Sequence, residues 1–155
     1  MRKLNKRLGE MLIDKKLLSK EQLDVALEEQ KRTKEFLGEI LVRKRYIKEM
    51  DLLEALSEQF NMPVASLKNR YIDWKLLKQF SPSLIMDYRA FPIEQGEFSI
   101  TVALTNPLDA WAMKRIEEEA MGLKPKFVLV LRSDMEDAIV RYKEYMLGEI
   151  FKQFE

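Results

Sequence analysis

Residues 7–30, RLGEMLIDKKLLSKEQLDVALEEQ, return 29 positions later as residues 36–59, FLGEILVRKRYIKEMDLLEALSEQ. The triplet Leu8-Gly9-Glu10 returns as Leu37-Gly38-Glu39. Further positions are identical in the two copies: Leu12, Leu23, Ala26, Leu27, Glu29 and Gln30 return as Leu41, Leu52, Ala55, Leu56, Glu58 and Gln59. Self-similarity at a fixed shift is typical of duplicated supersecondary units, so each copy is predicted to be one such unit.

The apolar spacing within each copy predicts a pair of helices. Leu8, Met11 and Leu12 fall at i, i+3 and i+4, and residues 23–30 continue with the same helical period. Between them, Ser19 opens a stretch with the pattern of a capping box and is predicted to start the second helix. A helix pair cannot bury its apolar stripe alone, so the two copies are expected to pack together as a four-helix subdomain.

Beyond residue 62 the pattern becomes a mixture of helix and strand signals. Short helices are predicted at 73–80 and, after the Ser81-Pro82 start signal, through Met86, and Asp109 is predicted to cap a helix at 110–121. Three apolar segments are predicted strands: 90–94, 98–104 and 127–131. In the second, an alternating pattern places Phe98 on the buried face, and the third, uninterrupted run, bounded by Pro125 and Ser133, indicates a central strand.

These elements predict an α+β fold class. An N-terminal four-helix repeat subdomain at 1–62 is expected to precede a small mixed three-stranded sheet covered by helices at 63–147, with a right-handed crossover between its last two strands. A capping box at Ser133 is predicted to open the final helix. Residues 148–155 are assigned to the end of that helix or to a linker.

The end of the chain carries a candidate interface. Ile150, Phe151 and Phe154 extend an apolar stripe along the last turns of the final helix, and an exposed stripe of this kind usually marks a contact with another copy or a partner. The alternative is a linker that frays at Gly148, because glycine opposes helix continuation by about 1 kcal/mol.

Composition argues against most catalytic functions. The chain has no Cys and no His, so thiolate chemistry, the commonest general base and the commonest metal ligands are absent. The five glycines contain neither the phosphate-binding pattern G-x-x-x-x-G-K-[ST] nor G-x-G-x-x-G. No catalytic residue, no metal site and no obligatory cofactor are therefore predicted, and the chain is not expected to be an enzyme.

Charge is distributed unevenly along the chain. Residues 1–48 hold 14 Lys and Arg against 8 Asp and Glu, a net +6, whereas 49–155 hold 13 against 18, a net −5. A basic front can attract an anionic partner, although a solvated face is the more common explanation of such a charge pattern. Neither a signal peptide nor an apolar run of about 20 residues is present, so a cytoplasmic location without membrane insertion is expected. Nucleic acid is not an expected partner because acids and bases are interspersed.

Three repeated features exceed what a helical core requires. A glycine near the start of each short helix suggests close approach of a backbone or ligand, because it is otherwise unfavourable in a helix. The Gln that closes each copy offers a donor and an acceptor, and Arg7 offers a fork suited to phosphate or guanine. Structural roles remain an equal alternative for all three.

The R-L-G start, the Leu spacing and the closing Gln of each copy resemble the tandem motif of MshEN-type domains. Further similarity lies in Asn61-Met62-Pro63-Val64, Phe91-Pro92-Ile93 and Thr105-Asn106-Pro107-Leu108-Asp109. Such domains form the N-terminal part of type II secretion and type IV pilus assembly ATPases. The resemblance implies a non-catalytic regulatory and docking module that binds a platform or motor protein of the machine, peripheral to the inner membrane through that partner, with self-association as a further option.

The resemblance also implies an alternative function as a cyclic di-GMP receptor. The candidate ligand-binding residues are those that match the tandem motif: Arg7, Leu8, Gly9, Leu12, Leu23, Leu27, Gln30, Leu37, Gly38, Leu41, Leu52, Leu56 and Gln59. Phe36 stands where the second Arg is expected, and Lys16 and Arg45 replace a Gly inside each copy. Loss of one guanidinium contact costs about 1.5–3 kcal/mol, which places docking ahead of nucleotide binding.

Overall fold

The computed structural model describes residues 2–155, with side chains from residue 7 onward. The chain divides into two compact units, Met1–Met62 and Pro63–Glu155. Within residues 2–62, the structure shows four helices: α1 (Arg2–Asp14), α2 (Lys20–Thr33), α3 (Leu37–Arg43) and α4 (Glu49–Phe60). The predicted capping box at Ser19 is confirmed, because its hydroxyl accepts from the Gln22 N–H at 3.1 Å and the Gln22 side chain accepts from the Ser19 N–H at 3.0 Å.

The core of the first unit is formed by the repeated apolar positions. α1 packs against α4, and α2 packs against α3, so each copy contacts the other. Among residues 7–62, the buried apolar side chains are Leu8, Leu12, Leu18, Leu23, Ala26, Leu37, Ile40, Leu41, Ile47, Leu53, Ala55 and Leu56. The two helix pairs therefore bury their stripes together, as predicted.

The second unit combines a sheet with helices. Its helices are α5 (Trp74–Leu77), α6 (Pro82–Met86), α7 (Ala110–Glu119) and α8 (Arg132–Lys152), and its strands are β1 (Phe91–Gln95), β2 (Ser99–Leu104) and β3 (Lys124–Leu129). Ser81 and Asp109 cap α6 and α7 with their side chains, as predicted. The strand order is β1-β2-β3, with β1 antiparallel and β3 parallel to β2. The predicted α+β class with a small mixed three-stranded sheet is confirmed.

Helices cover both faces of the sheet. On one face, Ile100, Val102 and Leu104 pack with Leu84 of α6 and Ile116 of α7. On the other face, Phe91 and Ala103 pack with Leu77 of α5 and with Met135 and Ile139 of α8. Alternation along β2 thus directs successive side chains to two separate cores.

Two strand predictions were wrong in detail. The third strand begins at Lys124 and lies beside β2 at the end of the three-strand order, so it is not a central strand. Pro125 lies within this strand instead of bounding it, because an edge strand tolerates a proline whose missing N–H need not face the neighbouring strand. Phe98 precedes β2 and is exposed, because the pairing with β1 begins only at Ile100.

The final helix differs from its prediction at two points. α8 begins at Arg132 with Leu131 as its N-cap, ahead of the predicted cap at Ser133. It continues through Gly148, as the predicted apolar stripe requires, but it ends at Lys152, so Phe154 lies in the turn beyond the helix. The surrounding helix-forming residues and contacts of α8 outweigh the cost of this one glycine.

Candidate functional site

The repeated glycines in the first unit lie beneath leucine side chains. A Cβ atom added at Gly9 would lie 2.7 Å from Leu23 Cδ1, and one added at Gly38 would lie 2.5 Å from Leu52 Cδ1. Leu23 and Leu52 are themselves equivalent residues of the repeat. Close approach of the second helix of each copy therefore accounts for both glycines.

The turns inside the two copies are also equivalent. Lys16 has φ 61° and Arg45 has φ 60°, both in the left-handed region. The N–H of Leu17 donates to the carbonyl of Leu12, and the N–H of Tyr46 donates to that of Leu41, with shorter-range bonds from Lys16 and Arg45 completing each motif. This is a Schellman ending, in which glycine is usually preferred at the left-handed residue. The sequence expectation that these side chains replace a glycine at positive φ agrees with the geometry.

Two reciprocal ion pairs join the copies. Lys15 Nζ lies 2.6 Å from Glu58 Oε2, and the equivalent Lys44 Nζ lies 2.9 Å from Glu29 Oε2. Each pair links the end of the first helix of one copy to the second helix of the other. The hydrogen bond with Glu58 raises the pKa of Lys15, and the hydrogen bonds from Lys44 and then Arg43 lower the pKa of Glu29. The exchange of equivalent partners gives the first unit a pseudo-twofold arrangement.

The pseudo-twofold arrangement is broken beside the second glycine. Phe36 is the N-cap of α3, and its Cε1 would lie 2.9 Å from a Cβ added at Gly38. The equivalent residue in the first copy is Arg7, which is exposed on α1. The exposed guanidinium of Arg7 in the first copy thus corresponds to the half-buried ring of Phe36 in the second.

A second asymmetry lies at the junction between the copies. Arg43 pairs with both Glu29 and Glu35, at 3.0 and 3.1 Å. The Gln30 side-chain amide donates to the Glu35 carbonyl at 3.1 Å and so fastens the segment between α2 and α3. The closing Gln of the first copy therefore has a structural partner.

The structure separates the predicted ligand-binding residues by exposure. Arg7 is exposed, and four others are half-buried: Leu27, Gln30, Leu52 and Gln59. The remainder are buried: Leu8, Gly9, Leu12, Leu23, Leu37, Gly38, Leu41 and Leu56. A ligand that binds this unit in the described conformation would contact mainly Arg7 and the four half-buried residues.

The predicted interface residues lie on an exposed surface of the second unit. Ile150, Phe151 and Phe154 are 47%, 67% and 83% exposed. Val140 and Leu147, which the sequence analysis did not single out, are exposed on α8 together with Ile150 and Phe151, and Phe154 lies in the turn after that helix. Their spacing of seven residues, shared with Phe154, was the signal that could have found them.

The opposite side of α8 is held to α5. The rings of Trp74 and Tyr145 stack with centroids 4.2 Å apart and planes 7° apart. Lys78 Nζ lies 5.4 Å from the centroid of the Tyr145 ring and 3.1 Å from Glu149 Oε2. Hydrogen bonds with Tyr145 and then Glu149 raise the pKa of Lys78.

Two further findings concern metal binding and membrane insertion. Within the described part of the chain, no group of three or more His, Cys, Asp and Glu side chains is placed to hold a metal ion. Among the described helices, none combines the length and apolarity needed to cross a bilayer.

Residues 60–149 match the sequence model of the MshEN domain. The match covers more than half of the chain. The chain belongs to the MshEN domain family. Its matched segment contains most of the sheet-bearing unit, whereas most of the tandem repeat precedes it. The predicted MshEN-type membership is confirmed.

Two curated relatives are type IV pilus assembly ATPases named PilB. The ATPase of Myxococcus xanthus is 27% identical over 136 residues, which are 88% of this chain and 24% of the ATPase. That of Thermus thermophilus is 28% identical over 116 residues, which are 74% of this chain and 13% of the ATPase. The chain thus spans a quarter or less of these relatives.

Solved structures support the same relationship. The structure of MshE with cdg, cyclic di-GMP, is 26% identical with a TM-score of 0.77, and the match covers 88% of this chain and 98% of that chain. The N-terminal domain of XpsE matches with a TM-score of 0.68 at 18% identity, over 89% of this chain and 94% of that chain. The second likeness shows the fold alone. The region of XpsE that this chain matches is its N-terminal domain.

Proposed function

We propose that the chain is a non-catalytic regulatory and docking module of a type II secretion or type IV pilus system. The observation that carries this proposal is the share of each related protein that the chain matches. The chain corresponds to nearly all of the matched MshE chain but to only 24% of a pilus assembly ATPase. A domain that corresponds to a small part of a much larger ATPase is suited to connect that ATPase to a partner or to regulate it.

The partner we propose is a platform or motor protein of the machine. Binding to such a partner would hold the chain in the cytoplasm at the inner membrane. Ile150, Phe151 and Phe154 supply exposed apolar area for a contact with another molecule, and exposed apolar patches commonly mark interfaces. The first unit offers a different, charged surface at Arg43, Lys44 and Glu29.

A binding experiment with purified proteins tests the docking function. The chain would be titrated, by biolayer interferometry, against the cytoplasmic domain of the platform protein and against the motor domain from its own organism. We expect saturable binding to one of them with a Kd on the order of 10 µM or tighter. Absence of binding to both at about 1 mM would contradict the docking role.

Binding of cyclic di-GMP is the second candidate function. The MshE structure with cyclic di-GMP favours it, and so does the pseudo-twofold first unit, because a cyclic dinucleotide with two identical halves is itself twofold symmetric. Arg7 would contact a phosphate or a guanine on one side. On the other side Phe36 can stack on a base but removes one charged contact.

Calorimetry with cyclic di-GMP tests this second function. If it binds through the repeat, Arg7→Ala should weaken binding at least tenfold, and Phe36→Arg should strengthen it about tenfold or more by adding a guanidinium. Arg32→Ala is the matched control, because Arg32 is exposed on α2 and lies outside the tandem motif. Equal effects of Arg7→Ala and Arg32→Ala would count against a specific site.

A further inference from the structure

Helix α8 carries two apolar faces. One face is buried in the second unit through Met135, Ala138, Ile139 and Tyr142. The other, which we call the outer stripe, consists of Val140, Leu147, Ile150 and Phe151 of α8 together with Phe154 in the turn that follows the helix, all of them exposed. Because each residue advances about 100° around a helix, the outer stripe lies to one side of the buried face and cannot join the same core.

The contacts between α8 and α5 determine which face of α8 is exposed. Tyr145 is stacked on Trp74, and Glu149 is paired with Lys78. These two residues flank Leu147 in the sequence but lie on the opposite side of the helix. Rotation of the last turns to cover Leu147 would break both contacts.

The spacing of the outer stripe is that of a helix-pairing seam. Val140, Leu147 and Phe154 follow one another at intervals of seven residues, and Ile150 lies three residues after Leu147. Apolar residues at these positions form the line of contact between two helices in coiled coils. The shape therefore favours a partner helix over a flat surface.

An antiparallel second copy complements this stripe in size. With the pair centred on Leu147, each Val140 faces the end of α8 of the second copy and Phe154 in the turn beyond it, so a small side chain meets a large one at both ends. A parallel pair would place two Val140 side chains together at one end and two Phe154 rings at the other. The helices would then have to splay apart.

The charges beside the stripe are also complementary in the antiparallel arrangement. Glu144 lies within two residue levels, about 3 Å along the axis, of Lys152 of the second copy. Both residues are exposed in the single chain.

The area available is that of a small specific interface. From their exposed fractions, the five side chains present on the order of 500 Å² per copy. Two copies would bury about 1,000 Å², which is the lower limit for a specific but weak association.

We propose that the outer stripe of α8 is a self-association surface that pairs two copies of this chain antiparallel about Leu147. The inference rests on the proposed docking role of the end of α8 and names a second copy as the molecule docked there. It requires neither the platform protein nor a nucleotide.

Sedimentation equilibrium measures the association directly. We expect the chain to dimerise with a Kd between about 10 µM and 1 mM. Leu147→Glu and Phe151→Glu should each raise that Kd at least tenfold. Trp111→Glu is the matched control, since Trp111 is 74% exposed on α7, and it should leave the Kd within about twofold.

Cysteine cross-linking distinguishes the orientation, because the natural chain has no Cys. An oxidised mixture of Val140→Cys and Phe154→Cys chains should form the mixed disulfide, whereas Val140→Cys alone should remain uncross-linked. Glu144→Lys should weaken the dimer, and adding Lys152→Glu should restore it.

A monomer at about 1 mM would overturn the proposal. Self-cross-linking of Val140→Cys, or a control variant that dissociates as readily as Phe151→Glu, would overturn it as well. These results are separate from the platform titration: a monomeric chain that still binds the platform domain defeats only the self-association, and a dimer that binds neither partner defeats only the docking to the machine.

Discussion

Leu52 lies directly over Gly38, so close that a Cβ atom on this glycine would be 2.5 Å from the Leu52 Cδ1. The same relation holds between Leu23 and Gly9 in the first copy, at 2.7 Å. The space above each glycine, which the sequence suggested could admit a ligand, is therefore filled by a leucine from the second helix of the same copy. The same contact is therefore present in both copies of the repeat.

Gly38→Ala should lower the free energy of unfolding by up to about 2 kcal/mol. Alanine gains about 1 kcal/mol of helix propensity, but its methyl group forces Leu52 and the Phe36 ring to move, and overpacking costs about 1–3 kcal/mol. Urea unfolding measures the difference. In a Leu52→Ala background, the same substitution should become neutral or stabilising.

Gly148→Ala provides the control for that experiment. Gly148 is also inside a helix, but a Cβ there would meet no atom within 4 Å. This variant should gain about 1 kcal/mol. Similar changes at Gly38 and Gly148 would show that the Leu52 contact does not restrain the chain.

Lys16→Gly and Arg45→Gly should each stabilise the first unit by roughly 0.5–1 kcal/mol. Both residues hold a left-handed φ that costs an L-residue about 1–2 kcal/mol, and glycine recovers most of that cost despite its greater freedom in the unfolded chain. Thermal unfolding followed by circular dichroism gives the change. Glu28→Gly, at an exposed position in the interior of α2, is the control and should destabilise by about 0.5–1 kcal/mol.

Glu119 should make stability depend on pH. Burial raises its pKa, but hydrogen bonds from the Ser81 N–H at 2.6 Å, from Arg115 at 2.8 Å and from the Ser81 hydroxyl at 2.9 Å outweigh burial and lower the pKa below its usual 4.5. A carboxyl whose pKa is depressed by folding stabilises the protein above the unfolded pKa. This contribution is lost as the pH falls through the folded pKa.

Glu119→Gln measures that contribution. The variant should be less stable by about 1–2 kcal/mol at pH 7, where the charged hydrogen bonds exist, and should approach the parent chain under strongly acidic conditions. Glu118→Gln, at an exposed neighbouring position, is the control and should change little. A loss that is the same at every pH would place the effect in packing instead of charge.

Tyr145→Ala should destabilise the second unit by about 1–2 kcal/mol, since it removes the stack with Trp74 as well as buried area. Tyr145→Phe keeps the ring and should cost less than about 1 kcal/mol. Hydrogen exchange in the last turns of α8 should rise for the alanine variant only. Equal protection in both variants would mean that the stack does not hold the helix end.

The sequence by itself determined the helix pairs, the caps at Ser19, Ser81 and Asp109, and the class of fold. The repeat from Arg7 to Gln59, the capping box at Ser19 and the alternation along β2 are local patterns, and local patterns express the period of the backbone that carries them. The resemblance of the same repeat to MshEN-type domains also placed the chain in its family.

Only the tertiary structure showed that Leu23 and Leu52 fill the space above the glycines, and that Lys15 and Lys44 exchange equivalent glutamate partners between copies. It also placed β3 at the end of the strand order despite its continuous apolar run, and left Phe98 outside the sheet. Each of these depends on contacts between residues far apart in the chain. Side-chain period assigns a residue to a face, but the element that packs on that face is chosen by long-range packing, which no local pattern encodes.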